Sequence, residues 1–209
     1  MRSSWLGAVA AAVWLAANGA AMAACPGTNV LFLDNFDRLL PTWGNGAGVM
    51  KSYDSQLVVE PAADTEFWVA NSAGLYDNID MCVTVTTVTG VVPDEAKAGL
   101  IFWYVDDNNF YVFELAPNGK ASVWRRQRGK WLAQVDWQAA EGALPGDGAM
   151  NELRVKTSDT DATVFVNDKE FKKIDGAPPE KGQQIGLFAA SPSAGAARFA
   201  FDSLKVTKP

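Results

Sequence analysis

The residues of this chain best suited to chemistry crowd into Gly99 to Trp137, GLIFWYVDDNNFYVFELAPNGKASVWRRQRGKWLAQVDW. The stretch holds Trp103, Trp124, Trp131 and Trp137, four of eight tryptophans, with Glu114, Arg126, Gln134 and Asp136 interleaved. Flat rings beside hydrogen-bonding groups suit a sugar. The ring stacks on a C–H face while Glu, Arg, Gln and Asp engage hydroxyls. The candidate ligand-binding set is Trp103, Glu114, Trp124, Arg126, Gln134 and Asp136. Residue types alone leave two other uses of the rings open: cover by a loop or a sheet rim, and contact with a protein partner.

The chain has no histidine. A Ser-His-Asp triad, a Cys-His pair, a histidine general base and histidine-ligated metals are thereby excluded. Any catalysis would fall to carboxylates, Tyr, Lys or Arg. Glu114 and Asp136 fall on non-adjacent strands, roughly 10 Å apart at about 4.8 Å per strand, a separation that suits an inverting glycosidase pair. No catalytic residue is assigned, and no cofactor is expected. Asp34, Asp37 and Asp202 lie near the chain ends and could offer hard oxygens to a structural calcium ion. The alternative is that they satisfy turns at strand ends.

Charge narrows the partners. The net charge is −6 and the pI about 4.7, which argues against nucleic acid, since phosphate contacts need a basic patch. The run WRRQRGK is too short to reverse this and reads as a solvated hairpin tip.

Residues 1–23 read as a secretory signal peptide: Arg2, an Ala-rich apolar run, then Ala21-Met22-Ala23 as a cleavage pattern. No later stretch is apolar enough to span a bilayer, so no membrane span is expected after cleavage. The mature chain would be periplasmic or secreted. Export favours a disulfide between Cys25 and Cys82, the only cysteines. A lipid on Cys25 is the alternative.

The elements that must position these residues are strands. Short runs rich in Val, Phe, Trp and Thr recur between Gly, Asn, Asp and Pro, with no sustained helical period. Fourteen are expected, near 30–36, 49–53, 56–60, 67–70, 79–88, 98–105, 110–115, 121–126, 131–138, 152–157, 162–166, 169–174, 184–190 and 196–206. So many short strands with short links indicate one all-β domain over 24–209, a two-sheet antiparallel sandwich. Turn chemistry sets the expected register. Asp107-Asn108 makes a two-residue turn. Asn118-Gly119 and Arg128-Gly129 each end a three-residue loop with a Gly bulge. On that register one face, with Leu100, Phe102, Phe113, Val123, Trp131 and Trp137, packs into the core. The other, with Trp103, Glu114, Trp124, Arg126, Gln134 and Asp136, is open.

The segments GLIFWYVDDNNFYVFEL, NELRVKTSDTDATVFVNDKEF, IGLFAA and FDSLKV, with DNFD near the start, resemble the concanavalin A/laminin-G-like jelly-roll modules. They resemble in particular the bacterial 3-keto-disaccharide hydrolase-like group. The resemblance spans nearly all the mature chain and implies a two-sheet jelly roll with one curved face. It also implies functions among glycan binding, adhesion and glycoside cleavage. Retaining glycosidases of that superfamily carry an E-x-D-x-x-E run, which this chain lacks. The expectation is therefore an exported module that binds a carbohydrate or cell-envelope glycan without cleaving it. A hydrolase of a (3-keto-)disaccharide and a protein-interaction module remain the alternatives.

Overall fold

The computed structural model describes residues 25–89 and 95–209, so the signal-peptide reading lies outside the described residues. Among the described residues fourteen strands form: β1 (Val30–Asp34), β2 (Met50–Tyr53), β3 (Gln56–Val59), β4 (Glu66–Ala70), β5 (Asp80–Thr89), β6 (Lys97–Asp106), β7 (Asn109–Leu115), β8 (Lys120–Gln127), β9 (Lys130–Ala139), β10 (Met150–Ser158), β11 (Asp161–Val166), β12 (Lys169–Asp175), β13 (Gln184–Ala190) and β14 (Arg198–Thr207). Each falls within two residues of the expected bounds. Period-2 alternation and turn residues are local signals that survive folding.

The strands make two antiparallel sheets. One runs β12-β11-β10-β5-β14-β3-β2, with β1 also paired to β14; the other runs β4-β13-β6-β7-β8-β9. Alternate side chains of each sheet point inward. Met81, Val83 and Val85 of β5 and Leu153 and Val155 of β10 meet Leu100, Phe102, Tyr111, Phe113 and Leu187 from the opposite sheet in one core. A short 3-10 turn at Pro41–Trp43 buries Trp43, whose indole donates to Asp34 at 2.7 Å. The Cys25–Cys82 disulfide, with Cα atoms 5.7 Å apart, ties the segment before β1 to β5. The Lys205 ammonium of β14 donates to the Cys25 carbonyl at 3.0 Å. No helix among the described residues is long and apolar enough to cross a membrane.

Two departures from the expected register decide which tryptophans face outward. In β6, the pairing Asp106↔Asn109 obeys the expected two-residue turn, but Phe102 pairs with Tyr111. Extra residues are therefore absorbed in a bulge, with Trp103 at φ 48°. The bulge turns Trp103 inward. It is 2% exposed, its ring meets Tyr111 edge-on at 5.0 Å, and its backbone N–H donates to the Gln183 side chain at 2.8 Å. Gly176 leaves the space its ring fills: a Cβ there would fall 2.1 Å from the ring. The placement of Trp103 on an open face is thus corrected.

At the β8–β9 turn, Arg128 (φ 51°) and Gly129 (φ 75°) both take the left-handed conformation. That is a two-residue turn of the mirror-image type, not a three-residue loop. Gln127 pairs with Lys130 and Arg126 with Trp131. The one-residue difference moves Trp131 from the core face to the outer face. The same shift puts Trp137 on the outer face; two further irregularities between Ala121 and Trp124 turn Val135 toward the core and cancel at Trp137. The core placement expected for Trp131 and Trp137 is corrected accordingly.

Candidate functional site

The outer face of the six-stranded sheet is laid out in rows that follow from the pairing. One row reads Ala70, Gly186, Ile101, Val112, Trp124, Ala133 from β4 to β9. The next reads Trp68, Phe188, Gly99, Glu114, Ser122. At the end of the sheet, Glu66 and Lys97 flank Ala190. The small Ala190 lets their side chains meet across it, 3.8 Å apart.

The middle of this face is a second, small core. Ile101, Phe110, Val112, Phe188 and Ala190 are buried beneath Trp68, Tyr104, Trp124 and Trp131, which are half-buried. Trp131 stands edge-on to Phe110 at 5.5 Å and to Phe188 at 6.1 Å. Hydrogen bonds hold the covering rings. Trp131 donates to Glu66 at 3.1 Å, Trp68 to Asp107 at 2.9 Å, and Trp124 to the Ser122 hydroxyl at 3.1 Å. The Tyr104 hydroxyl donates to Asp107 at 2.9 Å, and burial together with that carboxylate pushes its pKa up. The Arg126 guanidinium lies between two of the rings, 4.8 Å from the Trp68 centroid and 5.2 Å from that of Trp131.

Beside this covered centre lies an open cleft of about 860 Å³. Trp68, Arg126, Glu66, Lys97 and Trp137 line it, with Asp64, Thr65 and Glu95 from the segments leading into β4 and β6, and Ser191, Pro192 and Ser193 beyond β13. The Lys97 ammonium sits 6.0 Å from the Trp137 ring. A half-buried indole beside paired and unpaired charges can stack on a sugar face and bond its hydroxyls.

Of the six candidate ligand-binding residues, Arg126 lines the cleft. Trp124 caps the covered centre next to it. Glu114 is on the right face but 2% exposed, and it accepts from the Ser122 hydroxyl at 3.1 Å. Burial pushes its carboxyl up to about 7, against the opposing pull of Lys97 and the Ser122 bond. Gln134 is exposed and donates to the Leu132 carbonyl at 3.3 Å; Asp136 is exposed; neither lines the cleft. Trp103 is in the core. Trp68, Glu66 and Lys97 were not legible as site residues, although EFWVA already puts Glu66 and Trp68 on one face by alternation.

The calcium candidates do not converge. Asp34 accepts from Trp43 and from the Phe36 backbone N–H at 2.8 Å, Asp37 from Ser55 at 2.7 Å, and Asp202 from Ser203 at 2.9 Å. Among the described residues no group of three acidic or cysteine side chains is arranged to hold a metal.

By sequence, no protein-family model and no curated protein matches the chain. Solved structures do. The carbohydrate binding module CBM66 from Bacillus subtilis superposes with a TM-score of 0.56 at 14% identity, over 71% of this chain and 86% of that one. A β-glucanase from Bacillus licheniformis gives 0.60 at 10% identity, over 87% and 100%. The GH43 protein BlXynB, also from Bacillus licheniformis, gives 0.64 at 15% identity, over 85% of this chain and 39% of that one. The fold is a concanavalin A-like jelly roll. In this jelly roll the outer face of the six-stranded sheet carries both the cleft and the ring cluster, and the opposite sheet supplies the other half of the core.

Proposed function

We propose that the chain is an exported module that binds a carbohydrate or cell-envelope glycan in this cleft and does not cleave it. The observation that carries the reading is the cleft itself: Trp137 and Trp68 present ring surface beside Arg126, Lys97 and Glu66. A sugar needs that pairing of an apolar face with fixed polar groups. The fold, shared with a carbohydrate-binding module and with glycan-active enzymes, is consistent with it. Export, to a periplasm or to the exterior, is supported by the Cys25–Cys82 disulfide, which persists in oxidising compartments. Of the candidate residues, Arg126 contacts the ligand and Trp124 supports the platform, while Gln134 and Asp136 stand as outlying contacts for a long glycan. A glycan-array screen of residues 24–209, followed by titration calorimetry of wild type and Trp137→Ala, tests this. Binding abolished by the substitution, with folding intact, is the expected result; no binding to any glycan sinks the reading.

One observation favours a second reading, a glycoside hydrolase, including one acting on a 3-keto-disaccharide. Glu114 has a carboxyl raised to about 7, as a general acid requires. A general acid must also reach the glycosidic oxygen, and Glu114 is sealed under the face and held by Ser122. Incubation with β-glucans and 3-keto-disaccharides is expected to release no product. Turnover that disappears in Glu114→Gln or Asp136→Asn would establish the enzyme instead.

A further inference from the structure

We infer that the cleft selects a glycan bearing an acidic substituent, a carboxylate or a sulfate ester, and that Arg126 receives it. This deepens the glycan-binding reading above and rests on it. Two cations line the cleft, and they differ in what they already hold. Lys97 faces Glu66 and lies against the Trp137 ring. Arg126 pairs with no carboxylate among the described residues. Its guanidinium is packed between Trp68 and Trp131, and its Nε is buried without a hydrogen-bond partner.

That packing has a chemical consequence. The two rings engage the guanidinium through cation–π contact, which uses none of its N–H donors. The donors left over form a fork that matches a planar or tetrahedral oxyanion. The two rings are themselves held, Trp68 by Asp107 and Trp131 by Glu66, so the fork is oriented before a ligand arrives. Aromatic walls keep water away from one side of the cation, which strengthens its attraction for an anion that enters. Glu66 is matched by Lys97, and Asp64 and Glu95 are exposed. Lys97 is thus already matched by a carboxylate, which leaves Arg126 to receive an anion.

The test uses residues 24–209 against an array of acidic oligosaccharides (hyaluronan, polygalacturonate, alginate, chondroitin sulfate) and neutral ones (β-glucan, galactan, mannan). The tightest acidic binder is then titrated in native, carboxyl-reduced and desulfated forms. The tightest ligand is expected to be acidic, and removing its charge should weaken it roughly ten- to hundredfold, the scale of a charge-assisted hydrogen bond. Loss on carboxyl reduction identifies a uronate, and loss on desulfation a sulfate ester. Arg126→Gln should lose the same factor on the acidic glycan and much less on its neutralised form. Arg126→Lys, which keeps the charge without the fork, should fall between the two and serves if the glutamine variant folds poorly. A neutral tightest ligand, or equal losses on acidic and neutral forms in Arg126→Gln, overturns the inference. If only neutral glycans bind and Trp137→Ala abolishes that binding, the glycan-binding reading stands and the acidic preference alone is wrong. If nothing on the array binds, both fall.

Discussion

Trp131 donates its indole N–H to Glu66 at 3.1 Å, although β9 and β4 are the opposite edges of the six-stranded sheet. Five inter-strand spacings of about 4.8 Å would put those strands roughly 24 Å apart in a flat sheet. The contact is possible because the sheet is rolled and its outer face is concave. The small core of Ile101, Phe110, Val112 and Phe188 lies under this bridge, and the open cleft lies beside it.

The bridge should be measurable. Trp131→Phe keeps most of the ring but loses the donor, and is expected to cost about 1 kcal/mol, the net worth of one hydrogen bond. Trp131→Ala also uncovers Phe110 and Phe188 and should cost about 3 kcal/mol or more. Urea unfolding with an unchanged m-value checks both. Equal stabilities for wild type and Trp131→Ala would mean that the bridge is not formed in solution.

Trp103 and Trp137 should respond in opposite ways. Trp103 is enclosed by Phe102, Tyr111 and Gly176, so Trp103→Ala is expected to cost about 3–5 kcal/mol, much of a domain's stability. Trp137 is half-buried at the cleft. Its truncation should cost far less stability and instead weaken glycan affinity. Side-by-side urea curves and calorimetry separate the two, and a more severe loss of stability in Trp137→Ala would mean that the outer-face register is wrong.

Stability should fall as pH rises from about 4.5 to about 7. The Glu114 carboxyl stands at about 7 in the fold because burial disfavours its charge, against an ordinary value near 4.3. Between those values the folded state holds a proton that the unfolded chain has released. The slope of unfolding free energy with pH is therefore negative there and flat above 7. Glu152, raised to about 7 by burial and by Asp168, acts with the same sign. Glu114→Gln isolates the first contribution. It should flatten the profile and gain up to about 3 kcal/mol at pH 8. A profile as steep as wild type in that variant would show that Glu114 does not carry the effect.

The disulfide should be complete and stabilising. Thiol titration of unfolded, unreduced protein is expected to find none free. Opening the bridge, which spans 57 residues, with a Cys25→Ser, Cys82→Ser double variant should cost up to about 4 kcal/mol on the chain-entropy view. Two titratable thiols, or a lipid on Cys25 by mass spectrometry, would contradict the pairing.

The strands were legible residue by residue. Alternation such as LIFWYV and the turn pairs Asp107-Asn108 and Asn118-Gly119 act over a few positions and owe little to the rest of the chain. They placed Glu114, Trp124 and Arg126 on the outer face correctly. The remaining tryptophans were not legible, because a strand's faces alternate with a period of two and a single inserted residue exchanges them. The bulge at Trp103 is stabilised by Gln183, eighty positions away in the chain, and by the room at Gly176. Arg128, followed by a glycine, fits a two- or a three-residue turn from its neighbours alone, and the packing of Trp131 on Phe110 and Phe188 distinguishes them. Local chemistry thus settles where the strands run and which residue types they carry. The cleft needs Trp68 and Lys97 brought up to Arg126 and Trp137, and that juxtaposition exists because six paired strands roll their two edges together.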